Sequence, residues 1–332
     1  MATRGPLCLL ACDDARASAE LVARQLGAAL TPSRDMWFAC GEGKFVIDAN
    51  VRGHDVYLFQ HVVPSDGRTV YDRFIMLLHA VDAARLADAE RITVVLPYLP
   101  GARQDKRKGH LREGVSTGLF ARMLQEAGAD MVITVEPHNE AIVGCFDPRR
   151  CVFESLLLDR SLARHLREAG VHVDVVASTD VGGLEMARRL AERMQAGIVA
   201  LSKERDYAQV NTVRRAQVIG EVKGQRVLIV DDIVDTAGSV VAAAHALWDE
   251  GALDITVAGV HCVCSGPAWE RLQGLADESA RRGLSFAVVG TSSVTHADPP
   301  PWYRSMSLEP ILAQVIHNVN CGDSVRRLES HP

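Results

Sequence analysis

The fold is decided by the stretch Val227-Leu-Ile-Val-Asp-Asp-Ile-Val-Asp-Thr-Ala-Gly-Ser239. Val227–Val230 is an unbroken apolar run, which predicts a strand buried on both faces of a parallel sheet. Asp231 and Asp232 stand where that strand is predicted to end. A turn over residues 235–239 then leads into an alanine-rich helical pattern. A strand, a tight turn and a helix in this order indicate an α/β fold.

The same stretch predicts a binding site for a sugar phosphate. Backbone N–H groups at a helix N-terminus, with nearby hydroxyls, donate to a phosphate, and the helix dipole favours an anion. The carboxylates of Asp231 and Asp232 suit the hydroxyls of a sugar, or a Mg²⁺ ion held through water. The alternative is an ordinary loop in which Asp235 caps the helix. Paired acids at the carboxyl end of a strand favour the ligand site, because ligands of open α/β sheets bind there.

Length and charge limit the class of protein. The chain has 332 residues, enough for two α/β domains, and a net charge of −6, which argues against sequence-independent binding of nucleic acid. No apolar run approaches the length of a membrane span, and the first one is short and ends at Asp13-Asp14, unlike a signal peptide. We therefore expect a cytoplasmic enzyme that binds neither nucleic acid nor membranes and holds a small anionic substrate through local Lys, Arg or Mg²⁺.

The eight cysteines form no CxxC pair and lie mostly in apolar runs. Buried free thiols are therefore expected rather than disulfides or zinc ligands. The segment His261-Cys-Val-Cys264 could suggest a metal site. Alternation along a strand would place His261 on one side and both cysteines on the other, so a metal is not favoured there.

A basic loop, Pro97–Gly114, follows a predicted strand at Ile92–Leu96. Its cluster of Lys and Arg side chains is consistent with a nucleoside triphosphate site or with a solvated charged loop. The residues alone favour neither interpretation over the other. His138 follows the predicted strand Met131–Val135. Such a histidine is either a metal ligand or a hydrogen-bonded structural residue.

Two further segments suit phosphate chemistry. Ser178-Thr-Asp-Val-Gly-Gly183 is a second unit of strand, acid, glycines and helix, and its two glycines allow close approach to a diphosphate. The polar segment Ser202–Asn211 carries Lys203 and Arg205, which face the same side of an extended chain. That arrangement suits a lid over transferring phosphates, and a solvated loop is the alternative. The α/β pattern restarts near residues 150–160, which predicts a domain boundary there.

Taken together, these segments resemble those of ribose-phosphate diphosphokinase, also called PRPP synthetase. Val227–Ser239 resembles the ribose 5-phosphate motif, which type I phosphoribosyltransferases share. The other matches are Pro97-Tyr98, Ala102–Lys106 and Arg112-Glu113 (ATP loop), Val132–Val135, His138 and Phe146–Pro148 (metal segment), Thr179–Gly183 (diphosphate loop) and Lys203–Arg205 (flexible loop). The resemblance covers nearly the whole chain.

The resemblance implies an α/β fold of two phosphoribosyltransferase-like domains, each a mainly parallel sheet flanked by helices. The N-terminal domain would span residues 1–155, and the C-terminal domain residues 156–307. The last helix, within 308–332, would pack back onto the first domain. The implied assembly is a homohexamer built from dimers.

The implied reaction transfers the β,γ-diphosphoryl group of ATP to the C1 hydroxyl of ribose 5-phosphate, giving 5-phosphoribosyl 1-diphosphate and AMP, with Mg²⁺ as cofactor. The residues that match the family's catalytic positions are Lys203 and Arg205. Those matching its ATP site are Arg103, Gln104 and Asp105, with Phe38, Cys40 and Glu42 from a neighbouring subunit. Those matching the ribose 5-phosphate site are Asp231, Asp232, Asp235, Thr236, Ala237, Gly238 and Ser239. Asp180, Gly182 and Gly183 match the diphosphate loop, and His138 and Asp180 match the metal ligands.

The chain departs from the family at several positions. Glu136-Pro-His138 stands where the family usually has Asp-Leu-His, Cys40 replaces an Asp or Asn, and residues 61–71 lack a Ser/Thr-rich loop. These changes suggest a divergent paralogue. A non-catalytic regulatory paralogue is one alternative, although Lys203 and the phosphate loop are present. A PRPP-using phosphoribosyltransferase is another, although it needs neither the ATP loop nor the Lys203 segment.

Overall fold

The computed structural model describes residues 4–107, 109–205 and 213–325. These residues form two compact units. One comprises the chain up to Leu156 together with the segment from Ser307 onward, and the other comprises Leu157–Met306. Each unit is built around its own sheet, and the α/β class expected from the sequence is confirmed. None of the described helices is long and apolar enough to cross a membrane.

The described strands and helices alternate along most of the chain. The strands are β1 (Leu7–Ala11), β2 (Ser33–Trp37), β3 (Gly43–Ile47), β4 (Asp55–Phe59), β5 (Arg91–Val95), β6 (Met131–Val135), β7 (Val152–Leu156), β8 (Val175–Ser178), β9 (Gly197–Arg205), β10 (Val213–Ile219), β11 (Val227–Val234), β12 (Ile255–Cys262), β13 (Phe286–Thr291) and β14 (Tyr303–Met306). The α-helices are α1 (Arg16–Gln25), α2 (Val70–Leu86), α3 (Ser116–Ala127), α4 (Asp159–Glu168), α5 (Leu184–Met194), α6 (Gly238–Asp249), α7 (Ala268–Arg281) and α8 (Glu309–Cys321).

The first unit contains a parallel sheet of five strands in the order β1-β4-β5-β6-β7. β4 and β6 are buried along their whole length, as expected for apolar runs covered on both faces. Helix α2 begins with a capping box between Thr69 and Asp72, and α3 ends at Gly128, whose φ of 105° favours glycine. β2 and β3 form a separate antiparallel hairpin.

Helix α8 belongs to the first unit and packs against α1. Two side-chain hydrogen bonds join it to residues far away in sequence. Ser18 Oγ donates to Glu309 Oε1 over 2.8 Å, and Asn320 Nδ2 donates to Asp55 Oδ2 over 2.9 Å. Asp55 is fully buried and also accepts from the hydroxyl of Tyr57, at 2.9 Å. Because buried polar groups need partners, these bonds fix the position of the last helix.

A buried ion pair lies at the carboxyl end of β1. The guanidinium of Arg73, on α2, contacts the carboxylate of Asp14, and only 5% and 11% of the two side chains are exposed. Ser65 Oγ donates to Asp14 over 2.9 Å, and Arg73 Nη2 donates to the Ser65 carbonyl over 3.1 Å. The three residues therefore form one network that joins β1, α2 and the loop before α2.

Removing one partner of this pair is expected to be costly, because the other charge stays buried. Arg73→Met should lower the free energy of unfolding by about 3–5 kcal/mol. The matched control is Arg52→Met, whose pair with Asp88 is largely exposed (69% and 66%). That change should cost less than about 1 kcal/mol. Urea denaturation measures both, and equal losses in the two variants would contradict this account.

The second unit contains a sheet of seven strands in the order β10-β9-β8-β11-β12-β13-β14. All neighbouring pairs are parallel except the pair of β9 with the edge strand β10, which is antiparallel. Val227–Val230 of β11 are buried, as predicted, and α6 covers one face through Val240, Ala244 and Leu247.

Two predictions about strand ends were wrong. β11 does not end before Asp231 but continues to Val234, because its pairing with β12 continues after its pairing with β8 has stopped at Val230. β9 does not end at Leu201 but runs through residues 202–205, which we expected to be a polar loop. Pairing with β10 supplies the backbone hydrogen bonds of this two-stranded ribbon, so no apolar run was needed to form it.

Candidate active site

Three neighbouring strands of the second unit bring candidate residues to one edge of its sheet. β9, β8 and β11 lie side by side and run in parallel. The pairing of β8 with β9 stops at Ala177 and Val199, and that of β8 with β11 stops at Ser178 and Val230. Lys203, Asp180 and Asp231 all come after these points. The carboxyl edge of the sheet, where α/β proteins bind ligands, therefore carries all three segments.

The first acid at this edge, Asp231, is held by a hydroxyl from the next strand. Thr179 Oγ1 donates to Asp231 Oδ2 over 2.9 Å, and Thr179 is only 3% exposed. Asp231 and Asp232 themselves are partly exposed within β11. Sequence reasoning did not single out Thr179, and the only available signal was a hydroxyl next to Asp180 in the second strand-to-helix loop.

The loop after β8 folds tightly around Asp180. Ser178 Oγ donates to the Asp180 carbonyl, and the N–H of Gly183 donates to Asp180 Oδ1 over 3.2 Å. A Cβ at Gly182 would lie 3.2 Å from the same Oδ1. Neither glycine has a left-handed backbone. The close approach of a carboxylate, and not an unusual φ, therefore favours glycine at position 182.

The loop before α6 has the form of an anion site. Its N-cap residue is Ala237, which has a left-handed φ of 57° and no side-chain group that could cap the helix. The N-cap residue is thus Ala237 and not Asp235, whose carboxylate accepts from Ser265 Oγ. Arg271 Nη1 donates to the carbonyl of Thr236 over 2.8 Å and fixes the other side of the turn. Ala237 therefore brings no side-chain acceptor to the first N–H groups of α6. These N–H groups are the donors of the predicted phosphate site.

Lys203 and Arg205 lie at the end of β9. Their backbone is extended and pairs with β10, with Lys203 opposite Ala216 and Arg205 opposite Val213. The rest of the predicted flexible loop, residues 206–212, lies outside the described residues. What the structure adds is the strand that carries both residues to the same sheet edge as Asp180 and Asp231.

In the first unit, the predicted ATP loop leaves β5 as a buried turn. Residues 97–100 are buried, and Gly101 has a left-handed φ of 73°. Its carbonyl accepts from the N–H of Gln104 at 2.9 Å and from Thr117 Oγ1 at 2.8 Å. The side chain of Gln104 accepts from Ser116 Oγ at 2.6 Å. The exposed part of the loop, which includes Arg103, is thus anchored to the start of α3.

Asn139 ties this loop to the segment after β6. Its Nδ2 donates to Asp105 Oδ2 over 2.6 Å, and its Oδ1 accepts from the N–H of Ala141 at 2.9 Å. The Asp105 side chain is 11% exposed. His138, the predicted metal ligand, is the residue directly before Asn139 and is exposed. Sequence reasoning missed Asn139, whose contact joins residues 34 positions apart.

The departure at Glu136-Pro137 coincides with unusual backbone geometry. Glu136 is buried, has a left-handed φ of 35°, and donates its N–H to the Leu156 carbonyl at 2.9 Å. Residues before proline normally adopt extended conformations, so this one is strained. The strain lies two residues before His138, at the carboxyl end of β6.

The hairpin of β2 and β3 presents the three residues that match the neighbouring-subunit contact. Phe38 is 48% exposed, and Cys40 and Glu42 are exposed as well. The N–H of Phe38 donates to the Glu42 carbonyl over 2.8 Å, which closes the turn. Lys44 Nζ lies 5.7 Å from the centre of the Phe38 ring. An exposed aromatic ring on a closed turn is available for stacking.

The base of this hairpin carries a carboxyl group with a raised pKa. Burial, and then the charge of Asp13, raise the pKa of Asp35 to about 6. Because the folded protein holds this proton more tightly than the unfolded chain, Asp35 destabilises the fold once it ionises above that pH.

Asp35→Asn should therefore raise the free energy of unfolding at pH 7.5 by about 1 kcal/mol, allowing for the partial exposure of the group. The gain should shrink as the pH falls through 6 and disappear near pH 4. Asp48→Asn, on the exposed part of the same hairpin, is the control and should give no such trend. Urea denaturation at several pH values measures the free energy of unfolding of each variant relative to wild type. A gain for Asp35→Asn that does not change with pH would contradict the raised pKa of Asp35.

Comparison with known proteins places this geometry in a family. A family model described as the N-terminal domain of ribose phosphate pyrophosphokinase matches residues 7–128, and the phosphoribosyl transferase domain model matches residues 155–287. A ribose-phosphate pyrophosphokinase of Maricaulis maris is 38% identical over 313 residues, covering 92% of this chain and 94% of the relative. The chain belongs to the ribose-phosphate pyrophosphokinase family. The family resemblance read from the sequence motifs is thereby confirmed.

Two further matches agree. A ribose-phosphate pyrophosphokinase of Campylobacter jejuni is 34% identical over 313 residues, covering 93% of this chain and 94% of the relative. The crystal structure of phosphoribosylpyrophosphate synthetase from Mycobacterium smegmatis superposes with a TM-score of 0.83 at 30% identity, covering 95% of this chain and 98% of that one. The predictions of an enzyme, of this activity and of two phosphoribosyltransferase-like domains are confirmed at the level of the family.

Proposed function

We propose that this chain transfers the β,γ-diphosphoryl group of Mg²⁺-bound ATP to the C1 hydroxyl of ribose 5-phosphate, releasing AMP and 5-phosphoribosyl 1-diphosphate. One observation carries the assignment of residues. β9, β8 and β11 deliver a Lys-x-Arg segment, a diphosphate loop and a sugar-phosphate loop to one edge of a single sheet. The reaction needs cations and anion sites at one place, and this edge supplies both.

Ribose 5-phosphate binds at the end of β11 in this proposal. Its phosphate accepts hydrogen bonds from N–H groups at the start of α6 and from the hydroxyls of Thr236 and Ser239, along the loop of Asp235, Ala237 and Gly238. Asp231 and Asp232 accept from the ribose hydroxyls, with Asp231 oriented by Thr179. The sugar is thereby held with its C1 hydroxyl fixed relative to the diphosphate loop, which lowers the entropic cost of the reaction.

ATP binds to the first unit in this proposal. Arg103, Gln104 and Asp105 form its loop, which the bonds to Ser116 and Asn139 hold in place. Phe38 and Glu42 of a neighbouring copy, with Cys40 between them, cover the adenine, so activity requires a homo-oligomer. We propose a hexamer built from dimers.

The residues present suit Mg²⁺. This ion usually keeps several waters and takes one or two protein ligands besides substrate phosphates. Among the described residues, no three His, Cys, Asp or Glu side chains are grouped as a metal site. His138 and Asp180 would each contribute a ligand. When bound, Mg²⁺ neutralises charge on the phosphates of ATP.

The chain's own cations act on the transferring group. Lys203 and Arg205 stabilise the negative charge that spreads over the diphosphoryl oxygens as the C1 hydroxyl oxygen attacks the β-phosphorus and AMP leaves. Lys203 and Arg205 are two residues apart in an extended segment, and such residues face the same side of the chain. Both are therefore proposed to act on one diphosphoryl group. We also propose a cytoplasmic location, since all eight cysteines are free and thiols persist in reducing compartments.

The test is the dependence of AMP formation on the acceptor. With ATP and Mg²⁺, ribose 5-phosphate should give AMP, and ribose 1-phosphate, whose C1 oxygen is blocked, should give none. Chromatography separates AMP from ADP. No AMP with either sugar would overturn the proposal and favour a regulatory paralogue. Release of pyrophosphate from 5-phosphoribosyl 1-diphosphate only when a nucleobase is added would indicate a phosphoribosyltransferase instead.

A further inference from the structure

Two cysteines lie directly beside the proposed sugar-phosphate loop. Cys262 ends β12, and Cys264 follows two residues later with a left-handed φ of 50°. The N–H of Cys264 donates to the Val234 carbonyl at 3.0 Å, and the N–H of Ser265 donates to the Asp235 carbonyl at 3.0 Å. Ser265 Oγ also donates to the Asp235 carboxylate. The segment that carries Cys264 is therefore bonded to the end of β11.

The two thiols lie in unequal surroundings. The Cys262 thiol donates to the Gly259 carbonyl over 3.3 Å, and it also interacts with the Cys264 thiol. Cys262 is fully buried, and a Cβ added at Gly259 or Gly290 would lie only 2.9 Å or 3.2 Å from its sulfur. There is thus no room for added atoms on Cys262. Cys264 keeps 7% of its surface exposed, so a small oxidant reaches this sulfur first.

His296 completes the cluster. Its Nε2 donates to the Cys262 carbonyl over 2.7 Å, and its ring also hydrogen-bonds to the Cys264 thiol. The ring is held between Trp269 and Tyr303, at centroid distances of 4.8 Å and 5.6 Å. The interaction with Cys262, and then the bond and charge of His296, lower the pKa of Cys264 against the effect of burial. The same thiol pairing, with burial, raises the pKa of Cys262.

We propose that Cys264 and Cys262 form an oxidisable dithiol that responds to a peroxide. The Cys264 thiolate attacks one peroxide oxygen and breaks the O–O bond, giving a sulfenic acid and hydroxide, which takes up a proton to become water. The Cys262 thiol then attacks the Cys264 sulfur, loses its proton and displaces a second water. Two thiols are oxidised to one disulfide while one hydrogen peroxide is reduced to two waters. A dithiol reductant reverses the step.

Formation of the disulfide has a consequence for the adjacent loop. It holds the two sulfurs about 2 Å apart. The turn after β12 must shift to allow this, and that turn holds Asp235 through Ser265. We expect weaker binding of ribose 5-phosphate by the oxidised protein, a consequence that rests on the function proposed above.

Mass spectrometry of the full chain tests the dithiol itself. After brief treatment with hydrogen peroxide and alkylation of the remaining thiols, the peptide that contains both cysteines should be two hydrogens lighter and unalkylated, and a dithiol reductant should restore it. Cys321 is the matched control, because it is a free cysteine whose sulfur also lies near a histidine, 3.9 Å from His317 Nε2. Cys264 should react about tenfold faster than Cys321. In Cys262→Ser, oxidation should stop at a sulfenic acid on Cys264 that dimedone traps.

Calorimetry with ribose 5-phosphate tests the consequence. Oxidised wild type should bind about tenfold more weakly than reduced wild type, and Cys264→Ser should show no change on peroxide treatment. Oxidation of Cys264 no faster than that of Cys321, or absence of the lighter peptide, would overturn the dithiol. Equal affinity of oxidised and reduced protein would overturn the link to the loop. If reduced wild type binds no ribose 5-phosphate, the proposed function fails, and the mass measurement still decides on the dithiol.

Discussion

Replacing Lys203 by alanine is expected to lower kcat for AMP formation by about a thousandfold, with little change in the affinity for either substrate. Lys203 is proposed to act on charge that develops only as the diphosphoryl group transfers. Removing an interaction made only in the transition state lowers kcat and kcat/KM together. Initial rates at saturating ATP and ribose 5-phosphate measure the effect.

The control for this variant is Lys223→Ala. Lys223 is an exposed lysine of the same unit, in the turn between β10 and β11. Its removal changes the net charge equally and should leave kcat within about twofold, because an exposed charge away from the site is screened. Similar kcat values for Lys203→Ala and wild type would show that the end of β9 does not carry the catalytic cation.

The second large effect is expected at Asp231. Asp231→Asn removes the negative charge of the carboxylate that is proposed to accept from a ribose hydroxyl. It should raise KM for ribose 5-phosphate by about a hundredfold, since hydrogen bonds to charged groups contribute about 1.5–3 kcal/mol. Thr179→Val, which removes the 2.9 Å bond to Asp231, should raise the same KM by about tenfold without changing the charge.

Asp249→Asn is the matched control for Asp231. This exposed aspartate ends α6, at the opposite end of the helix from the proposed phosphate site. It should leave KM for ribose 5-phosphate unchanged. The contradicting result is an unaltered KM in Asp231→Asn, or a larger effect of Thr179→Val than of Asp231→Asn.

The parts of the fold that sequence reasoning predicted well have strong local signals. The bounds of β6 agree with the predicted ones because an apolar run begins and ends there. The strands that were not predicted, β7, β10 and β14, lie at sheet edges. An edge strand is defined by its one neighbour, and its residues need not be apolar, so its own sequence says little.

The same distinction applies to the site. The loops around Asp180, Asp231 and Gly101 were found from the sequence, because acids and glycines after a buried strand are a local pattern. Thr179 and Asn139 were missed, because each acts through a partner that only the fold brings near. The bond from Ser265 to the Asp235 carboxylate joins residues 30 positions apart, so the sequence carries no sign of it either. The roles assigned to individual residues stay predictions.

The most direct test of the central claim is a phosphorus NMR spectrum of the complete reaction of ATP, Mg²⁺ and ribose 5-phosphate with wild-type protein. Transfer of an intact diphosphoryl group predicts AMP together with a product that carries two coupled phosphorus atoms on C1 of the sugar. Transfer of the γ-phosphoryl group alone would give ADP and a sugar with a single phosphate on C1, and that spectrum would contradict the account.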